Sequence, residues 1–263
     1  MAAMDFQKRL SVPLPPGRTV SSEEGTPLLW LSEDPAPFGL WSRLHAEHPR
    51  SGLWPLLLDG LRGEPDRPWE SQELYPEWIS SPSDHDPEAL LARWWKEHAC
   101  GEEADPGADR LSVTAPYGAS WPGRAPAAQV GEDPGESAAE CAEILVENGV
   151  GSRLGLVPAA SGAEAVAASG WAGPLNYDND TAVFAAVVAD WERRFGARVL
   201  GMGFGTLTLS IAAPPADTGA ALRVAAEHFA FCPDNIWQNT SPGRLEVYAE
   251  QLVDCPVWRF WWD

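Results

Sequence analysis

The sequence has few basic residues for its length. It contains 18 Lys and Arg against 38 Asp and Glu in 263 residues, a formal net charge of -20 at pH 7. Proteins that bind nucleic acid need clustered Lys and Arg to contact phosphates, and an anionic membrane surface attracts the same residues. We therefore expect neither nucleic acid nor a membrane as a partner, and a basic protein is the partner that this charge favours.

Long apolar runs are also missing. A membrane-spanning helix needs about 20 consecutive apolar residues, and no stretch of this sequence approaches that length. The N-terminal residues MAAMDFQKRL lack the apolar run of a signal peptide. We therefore expect a cytoplasmic protein.

Cysteine is scarce and unpaired in sequence. The four cysteines are far apart and form no Cys-x-x-Cys pair, which predicts buried thiols in a reducing compartment rather than a zinc site. They are Cys100, Cys141, Cys232 and Cys255. The sequence therefore predicts no metal.

Catalytic motifs are missing as well. No Ser lies in a Gly-x-Ser-x-Gly elbow. The nearby glycines Gly201, Gly203 and Gly205 lie between two predicted strands, whereas a nucleotide-binding loop lies between a strand and the start of a helix. A hairpin turn explains them better. We therefore predict neither a catalytic residue nor a cofactor.

Tryptophan, in contrast, is abundant. There are 14 tryptophans, and hydrophobic residues make up 44% of the sequence, which is typical of a packed globular protein. The final segment, PVWRFWWD, alternates like a strand: Trp258, Phe260 and Trp262 share one face, and Trp261 lies on the other. We expect this strand to close a sheet.

The second half of the sequence predicts an α+β fold. Strand, helix, two hairpin strands and helices precede the final strand, so we expect a two-layer antiparallel sheet with helices on one face. The order matches the ferredoxin-like βαββαβ motif, with one extra helix before the last strand. The polar face of the hairpin strand, with Thr206, Thr208 and Ser210, would be free to meet the N-terminal half or a partner.

Composition divides the chain into three regions. Residues 1–100 predict an N-terminal α/β region. Residues 101–149 are rich in Gly, Pro and acidic residues, which predicts a linker with a short helix. Residues 150–263 are the predicted C-terminal α+β domain.

Three features of the N-terminal region have structural interpretations. Pro55 interrupts the apolar strand predicted over Leu53–Leu61, so that strand is expected at a sheet edge or with an irregular first half. His45 and His48 lie three residues apart on a predicted helix without a third metal ligand, and we expect them on the surface. Trp69, Tyr75 and Trp78 are expected to pin their loop to the globule.

Several segments after residue 150 resemble a known family. In order they are WAGPLNYDND, WERRFGARVLGMGFGTLTLSIAAPP, AAEHFAFCPDNIWQ, YAEQL and WRFWWD. They resemble the bacterial family catalogued as domain of unknown function 4253, and TPLLWLS, LHAEHPRSGLWPLLLDGL and DHDPEALLARWW resemble the region that commonly precedes it. The resemblance implies a bacterial cytoplasmic setting and a domain boundary near residue 150. It implies no activity, catalytic residue or cofactor.

Two loops, residues 176–180 and 234–238, hold the densest groups of carboxylates and amides. Their Asp and Asn side chains are typical of helix caps and turns. If folding brings the loops together, the same side chains would form a binding site. The candidate binding residues are Asp178, Asn179, Asp234, Asn235, Trp237 and Trp261.

The sequence supports two functional hypotheses. The first is an acidic, non-catalytic protein-binding module, for example an immunity-type inhibitor of a basic toxin or of another basic protein, in which carboxylates steer association and aromatic residues anchor the contact. The alternative is a hydrolase or a small-molecule-binding enzyme, in which Asp178 and Asp180 act together with Asp234 and His228.

Overall fold

A computed structural model describes residues 5–101 and 108–263, and this part of the chain forms seven strands and nine α-helices. The strands are β1 (Gly17–Ser21), β2 (Pro27–Ser32), β3 (Leu53–Leu58), β4 (Arg153–Pro158), β5 (Ala197–Met202), β6 (Thr206–Ile211) and β7 (Val257–Trp261). The helices are α1 (Leu40–Ser51), α2 (Pro87–Cys100), α3 (Ala108–Val113), α4 (Pro134–Glu147), α5 (Gly162–Ala168), α6 (Ala182–Phe195), α7 (Thr218–Phe231), α8 (Asp234–Trp237) and α9 (Leu245–Leu252). Short 3-10 helices lie at Gln7–Arg9, Pro76–Trp78 and Pro82–Asp84.

All seven strands lie in one sheet, in the order β1-β2-β4-β3-β5-β6-β7. Neighbouring strands are antiparallel except for β3 and β5, which are parallel. The predicted α+β class with a mainly antiparallel sheet is confirmed. Strands from both sides of the boundary predicted near residue 150 contribute to this sheet, since β1 to β3 precede it and β4 to β7 follow it.

The strand order corrects the predicted ferredoxin-like topology. That motif places its first and last strands side by side, whereas β3, β5 and β6 separate β4 from β7 here. β3 lies between β4 and β5 because all its residues are buried, with Trp54, Leu56 and Leu58 in the core of one face and Leu53 and Leu57 in the core of the other. A strand that is apolar on both faces needs cover on both, which the interior of a sheet supplies.

Pro55 lies inside this interior strand, although the sequence predicts an edge strand or an irregular first half. Pro55 is aligned with Leu156 of β4, and the pairing of β3 with β5 involves only Leu57 and Leu58. At Pro55, therefore, β3 has a strand neighbour on one side only within the described residues. The missing N–H of proline is tolerated at such a position.

Helices cover both faces of the sheet. The helices that follow residue 150 lie on one face, as predicted, and α2 packs against the outer side of α6 and α7. The opposite face is covered by α1, which packs on β3, and by α4, which packs on β5 and β6. Thr208 and Ser210 of β6 are consequently buried beneath α4. The sequence predicts that this face of the hairpin strand is free to meet the N-terminal half or a partner. In the structure it is covered by α4 of this chain.

A buried ion network ties the predicted linker to the helices. Residues 102–107 of that linker lie outside the described residues. Further along, the Ala125 N–H donates to Glu227 Oε1 (2.6 Å) and its carbonyl accepts from Arg194 Nη1 (2.8 Å). Glu227 is 0% exposed and also accepts from Arg194 Nη2 (2.5 Å) and from Trp191 Nε1 (2.7 Å). Arg194 Nε in turn donates to Asp190 (2.6 Å). The chain around residue 125 is therefore fixed to α6 and α7.

Replacing Glu227 with alanine should destabilise the fold strongly. The substitution leaves Arg194 buried with one of its two carboxylate partners, and it leaves the Ala125 N–H and the Trp191 indole N–H without their acceptor. Breaking a buried pair in this way costs about 3–5 kcal/mol. Urea unfolding followed by circular dichroism measures the loss. The matched control is Glu250→Ala on the exposed side of α9, which should change stability by less than about 0.5 kcal/mol. Equal losses for the two variants would contradict the structural role of the network.

Candidate functional site

The two loops that the sequence singles out meet in the structure. The Tyr177 hydroxyl donates to Asp234 Oδ2 at 2.8 Å, which joins loop 176–180 directly to α8. The Asn176 amide donates to the main-chain oxygen of Asp263 at 2.5 Å, so the end of the sequence joins the same surface. The polar clusters thus form one continuous surface at one end of the sheet.

The carboxylates of loop 176–180 hold the backbone around the start of α6. Asp178 Oδ1 accepts from the Asp180 N–H (3.0 Å), and Asp178 Oδ2 lies 3.7 Å from Arg93 Nη2. Asp180 Oδ1 accepts from the Ala182 N–H, which is the capping role that the sequence pattern predicts for an acidic residue at this helix start. Asn179 is exposed. These side chains order the loop and keep part of their charge at the surface.

Asp234 is almost fully buried in the floor of this surface. Its carboxylate accepts from the Tyr177 hydroxyl, from Gln238 Nε2 (2.9 Å) and from the Asp263 N–H (3.3 Å). Hydrogen-bond donors compensate for the removal of a carboxylate from water. Burial and then the bond to Asp234 raise the pKa of the Tyr177 hydroxyl, which therefore stays protonated as a donor.

Asn235 closes the outer edge of the terminal strand. Its Oδ1 accepts from the Trp261 N–H (3.2 Å), and its Nδ2 donates to the Arg259 carbonyl (2.7 Å), as a neighbouring strand would. The Trp261 carbonyl accepts from the Cys232 thiol at 3.0 Å. Trp261, a candidate binding residue, is half-buried, while Trp258 and Phe260 of the same strand are buried on the helix-covered face. The alternation predicted for this strand is confirmed.

His228, in contrast, lies in the helix–sheet core rather than in the loop surface. It is 0% exposed, its Nδ1 is 3.0 Å from the Tyr248 hydroxyl, and its ring contacts Trp258 (4.4 Å between centroids) and Phe260 (4.8 Å). Its Nε2 has no hydrogen-bond partner among the described residues. Burial lowers the pKa of His228 to about 3, so the imidazole is neutral at physiological pH. The enzyme hypothesis places His228 beside the loop carboxylates. In the structure its hydrogen-bond partner is instead Tyr248 of α9.

Exposed apolar side chains gather beside these loops. Four of the seven large apolar side chains that are exposed in the described part of the chain lie here, and we call them the aromatic surface: Trp78, Leu175, Tyr177 and Trp237. The His98 ring lies 5.8 Å from both the Tyr177 and Trp237 rings and joins them. Tyr75 stacks on Trp78 at 4.1 Å and shares a small cleft with Leu175.

Part of the aromatic surface could not be found from the sequence. Tyr177 and Trp237 lie in or beside the predicted loops. Trp78, and the His98 ring that joins Tyr177 to Trp237, come from distant segments that carry no binding motif. The sequence predicts that Trp69, Tyr75 and Trp78 pin their loop to the globule, and the structure corrects this for Trp78, which is 45% exposed. Trp69 of the same loop is the buried anchor. Only the fold brings these residues together.

Two features are absent from the described residues, 5–101 and 108–263. No group of three or more His, Cys, Asp or Glu side chains there has the arrangement of a metal site. None of the helices in these ranges has the length and apolarity needed to cross a bilayer.

An Asn235→Asp substitution should destabilise the terminal strand at neutral pH. A carboxylate still accepts from the Trp261 N–H, but it cannot donate to the Arg259 carbonyl, and its charge is buried against that oxygen. A buried unsatisfied acceptor costs about 1–3 kcal/mol, and more beside a charge. Thermal unfolding at pH 7 measures the loss. Asn239→Asp, the same change at an exposed position nearby, should leave the melting temperature almost unchanged. A stable Asn235→Asp variant would show that the edge contact is dispensable.

The buried histidines should make the fold sensitive to acid. Burial lowers the pKa of His98 to about 4 and that of His228 to about 3, while a histidine in the unfolded chain titrates near 6.5. Below pH 6.5 the unfolded state therefore binds protons that the folded state does not, and the free energy of unfolding falls as the pH drops towards 4. One such histidine removes about 2 kcal/mol between pH 7 and pH 5.

The NMR titration of the imidazole Cε1–H signals tests this directly, because the sequence has only five histidines. The signals of His98 and His228 should stay at their neutral positions at pH 5 in the folded protein and should titrate near 6.5 in urea. A midpoint near 6.5 for either residue in the folded protein would refute the proposed burial effect.

Comparison with known proteins places the second half of the chain in a family. Residues 153–263 match the family described as Domain of unknown function (DUF4253). The match contains β4 to β7 with the helices between them, both polar loops and all six candidate binding residues. No curated protein and no solved structure matches the chain. The match covers 111 of the 263 residues, so residues 153–263 are the part of the chain that is similar to this family.

Proposed function

We propose that this protein is a cytoplasmic, non-catalytic module that binds a basic protein through the aromatic surface. The observation that supports this most is the clustering of Trp78, Leu175, Tyr177 and Trp237 among acidic loops. Contiguous exposed apolar side chains with a polar rim are typical of protein interaction sites. An immunity-type inhibitor of a basic toxin is one form that such a module takes.

The exposed aromatic side chains are suited to anchoring a partner. Trp78 is 45% and Trp237 39% exposed, so each has about 100 Å² left to bury, worth roughly 2.5 kcal/mol at about 25 cal/mol per Å². Their other faces are already packed, Trp78 on Tyr75 and Trp237 on Phe229 (5.4 Å) and His98. An anchor that is held in place loses little conformational entropy on binding.

The charges around the aromatic surface select the partner. Acidic residues of the same loops and of the chain end surround it: Glu73, Glu77, Asp178, Asp180 and Asp263. Arg93 is 3.7 Å from Asp178, and Arg67 is bound by Glu73 at 2.5 Å, so the nearby cations are engaged. With a net charge of -20, the protein attracts a basic partner over a long distance and orients it.

The geometry gives less support to the enzyme hypothesis. That hypothesis needs His228 beside Asp178, Asp180 or Asp234, since proton transfer requires hydrogen-bond reach. His228 is bound to Tyr248 in the core. The four free cysteines are compatible with the reducing cytoplasm of the proposal.

Affinity capture with matched surface variants tests the proposal. The immobilised protein is exposed to lysate of its native cells, and the retained proteins are identified and then titrated by calorimetry. We expect a basic partner whose affinity falls by about 2 kcal/mol, roughly 30-fold, in Trp237→Ser, because a central aromatic anchor is lost. Raising the ionic strength from about 0.01 to about 0.15 M should weaken binding, since the Debye length shrinks from about 30 to about 8 Å.

Ile144→Ser is the control for nonspecific adhesion. Ile144 is 59% exposed on α4, away from the aromatic surface, and its replacement should leave the affinity unchanged. The proposal fails if no basic protein is retained, if Trp237→Ser binds like the wild type, or if binding is independent of salt.

A further inference from the structure

A second polar region lies on another part of the molecule, in a cleft of about 470 Å³. The end of α1, the start of β3, the loop before α5 and the junction of α6 with β5 form its walls. Its principal side chains are His45, His48, Trp54, Glu192, Arg193 and Arg198. The sequence predicts His45 and His48 on the surface, and the structure corrects this, because both are half-buried in the cleft wall.

The aromatic wall of the cleft is fixed in position. The Trp54 indole N–H donates to the Val199 carbonyl at 2.9 Å, which sets the plane of its ring. His45 stacks on Trp41 at 4.8 Å between centroids and meets Trp54 edge-on at 5.0 Å. His48 also meets Trp54 edge-on, at 4.9 Å. The cleft therefore has a flat apolar side that is formed before any ligand arrives.

The orientation of His48 follows from its hydrogen bond. Its Nε2 is 2.8 Å from the Ala159 carbonyl oxygen, and because a carbonyl only accepts, Nε2 carries the proton. Nδ1 is the other ring nitrogen and is left to serve a ligand.

Arg198 is a cation in this cleft that forms no direct ion pair with a carboxylate of the described residues. Its Nη1 donates to the Ala197 carbonyl (2.7 Å), and within the described residues no carboxylate forms an ion pair with it. The neighbouring Arg193, in contrast, is paired with Asp190 at 3.1 Å.

The acidic groups of the cleft are engaged by the backbone. Glu192 Oε1 accepts from the Ala163 N–H at 3.0 Å. Asp133 accepts from the Gly135 N–H (2.8 Å) and the Glu136 N–H (3.1 Å) at the start of α4. Burial, followed by the charges of His48 and Arg198, lowers the pKa of His45 to about 4, so this ring is neutral at pH 7. Arg198 interacts electrostatically with Glu192 without forming a direct ion pair, so N–H donors of its guanidinium remain for a ligand.

We propose that this cleft binds a small organic anion, with its carboxylate or phosphate at Arg198 and its apolar part against Trp54 and His45. A planar guanidinium suits both oxyanions, and the volume is that of small-molecule sites, which run from about 300 to about 1,000 Å³. Inorganic phosphate alone would leave the aromatic wall uncovered. The inference is independent of the proposed protein binding, because the cleft and the aromatic surface share no residue.

NMR titration of the imidazole Cε1–H signals at pH 7 tests the proposal, with benzoate and phenyl phosphate as the two probes. Either probe should shift the His45 and His48 signals along a saturating curve, because both rings line the cleft. The His98 and His228 signals should stay in place. A response to benzoate alone identifies a carboxylate ligand, and a response to phenyl phosphate alone identifies a phosphate ligand.

Arg198→Gln should weaken the binding of the responding probe at least tenfold, and Arg223→Gln, the same change on the exposed side of α7, should not. The inference is overturned if neither probe gives a saturating shift up to ~10 mM, where a millimolar Kd is detected. Equal shifts with sodium chloride at matched ionic strength, or wild-type affinity in Arg198→Gln, also overturn it. The wild-type titration decides the question even if Arg198→Gln fails to fold.

Discussion

The fold depends on the burial of β3 on both of its faces. This strand comes from the first hundred residues, yet it lies between β4 and β5, which belong to the DUF4253 part of the chain. Its leucines contribute to the cores on both sides of the sheet. Without β3, β4 would have no strand connection to β5, because no other strand of the described residues lies between them. The N-terminal segment is thus a structural part of the sheet to which the family region contributes.

The same arrangement separates the structural tryptophans from the exposed ones. Trp191, Trp258 and Trp262 lie between helices and sheet, in contact with one another or with the phenylalanines of the core. Trp78 ends a short 3-10 helix and Trp237 ends α8, and each has one face packed and the other open. The abundance of tryptophan therefore has two explanations: most of these rings fill the core, and a few remain at the surface.

Much of the fold could be predicted from local patterns. Strict alternation in β6 and β7, the Asp217 cap of α7 and the Asp86 cap of α2 are set by residues next to one another in sequence. Strand order could not be predicted, because the place of β3 depends on which distant strand covers its two faces. The candidate site divides in the same way: the two polar loops could be identified, but the contact of His98 with Tyr177 and the cleft around Arg198 arise only from packing between distant elements.

The two ends of the sheet differ in whether side chains occupy the hydrogen-bonding groups of the outermost strand. Asn235 and Cys232 occupy the hydrogen-bonding groups along the outer side of β7, so this end cannot serve as a template for another strand. At the other end, β1 has no strand neighbour among the described residues. Two copies that paired edge to edge would do so through β1 of each copy, and neither copy would then have a free strand edge. Such pairing would stop at two copies and would not extend along the sheet.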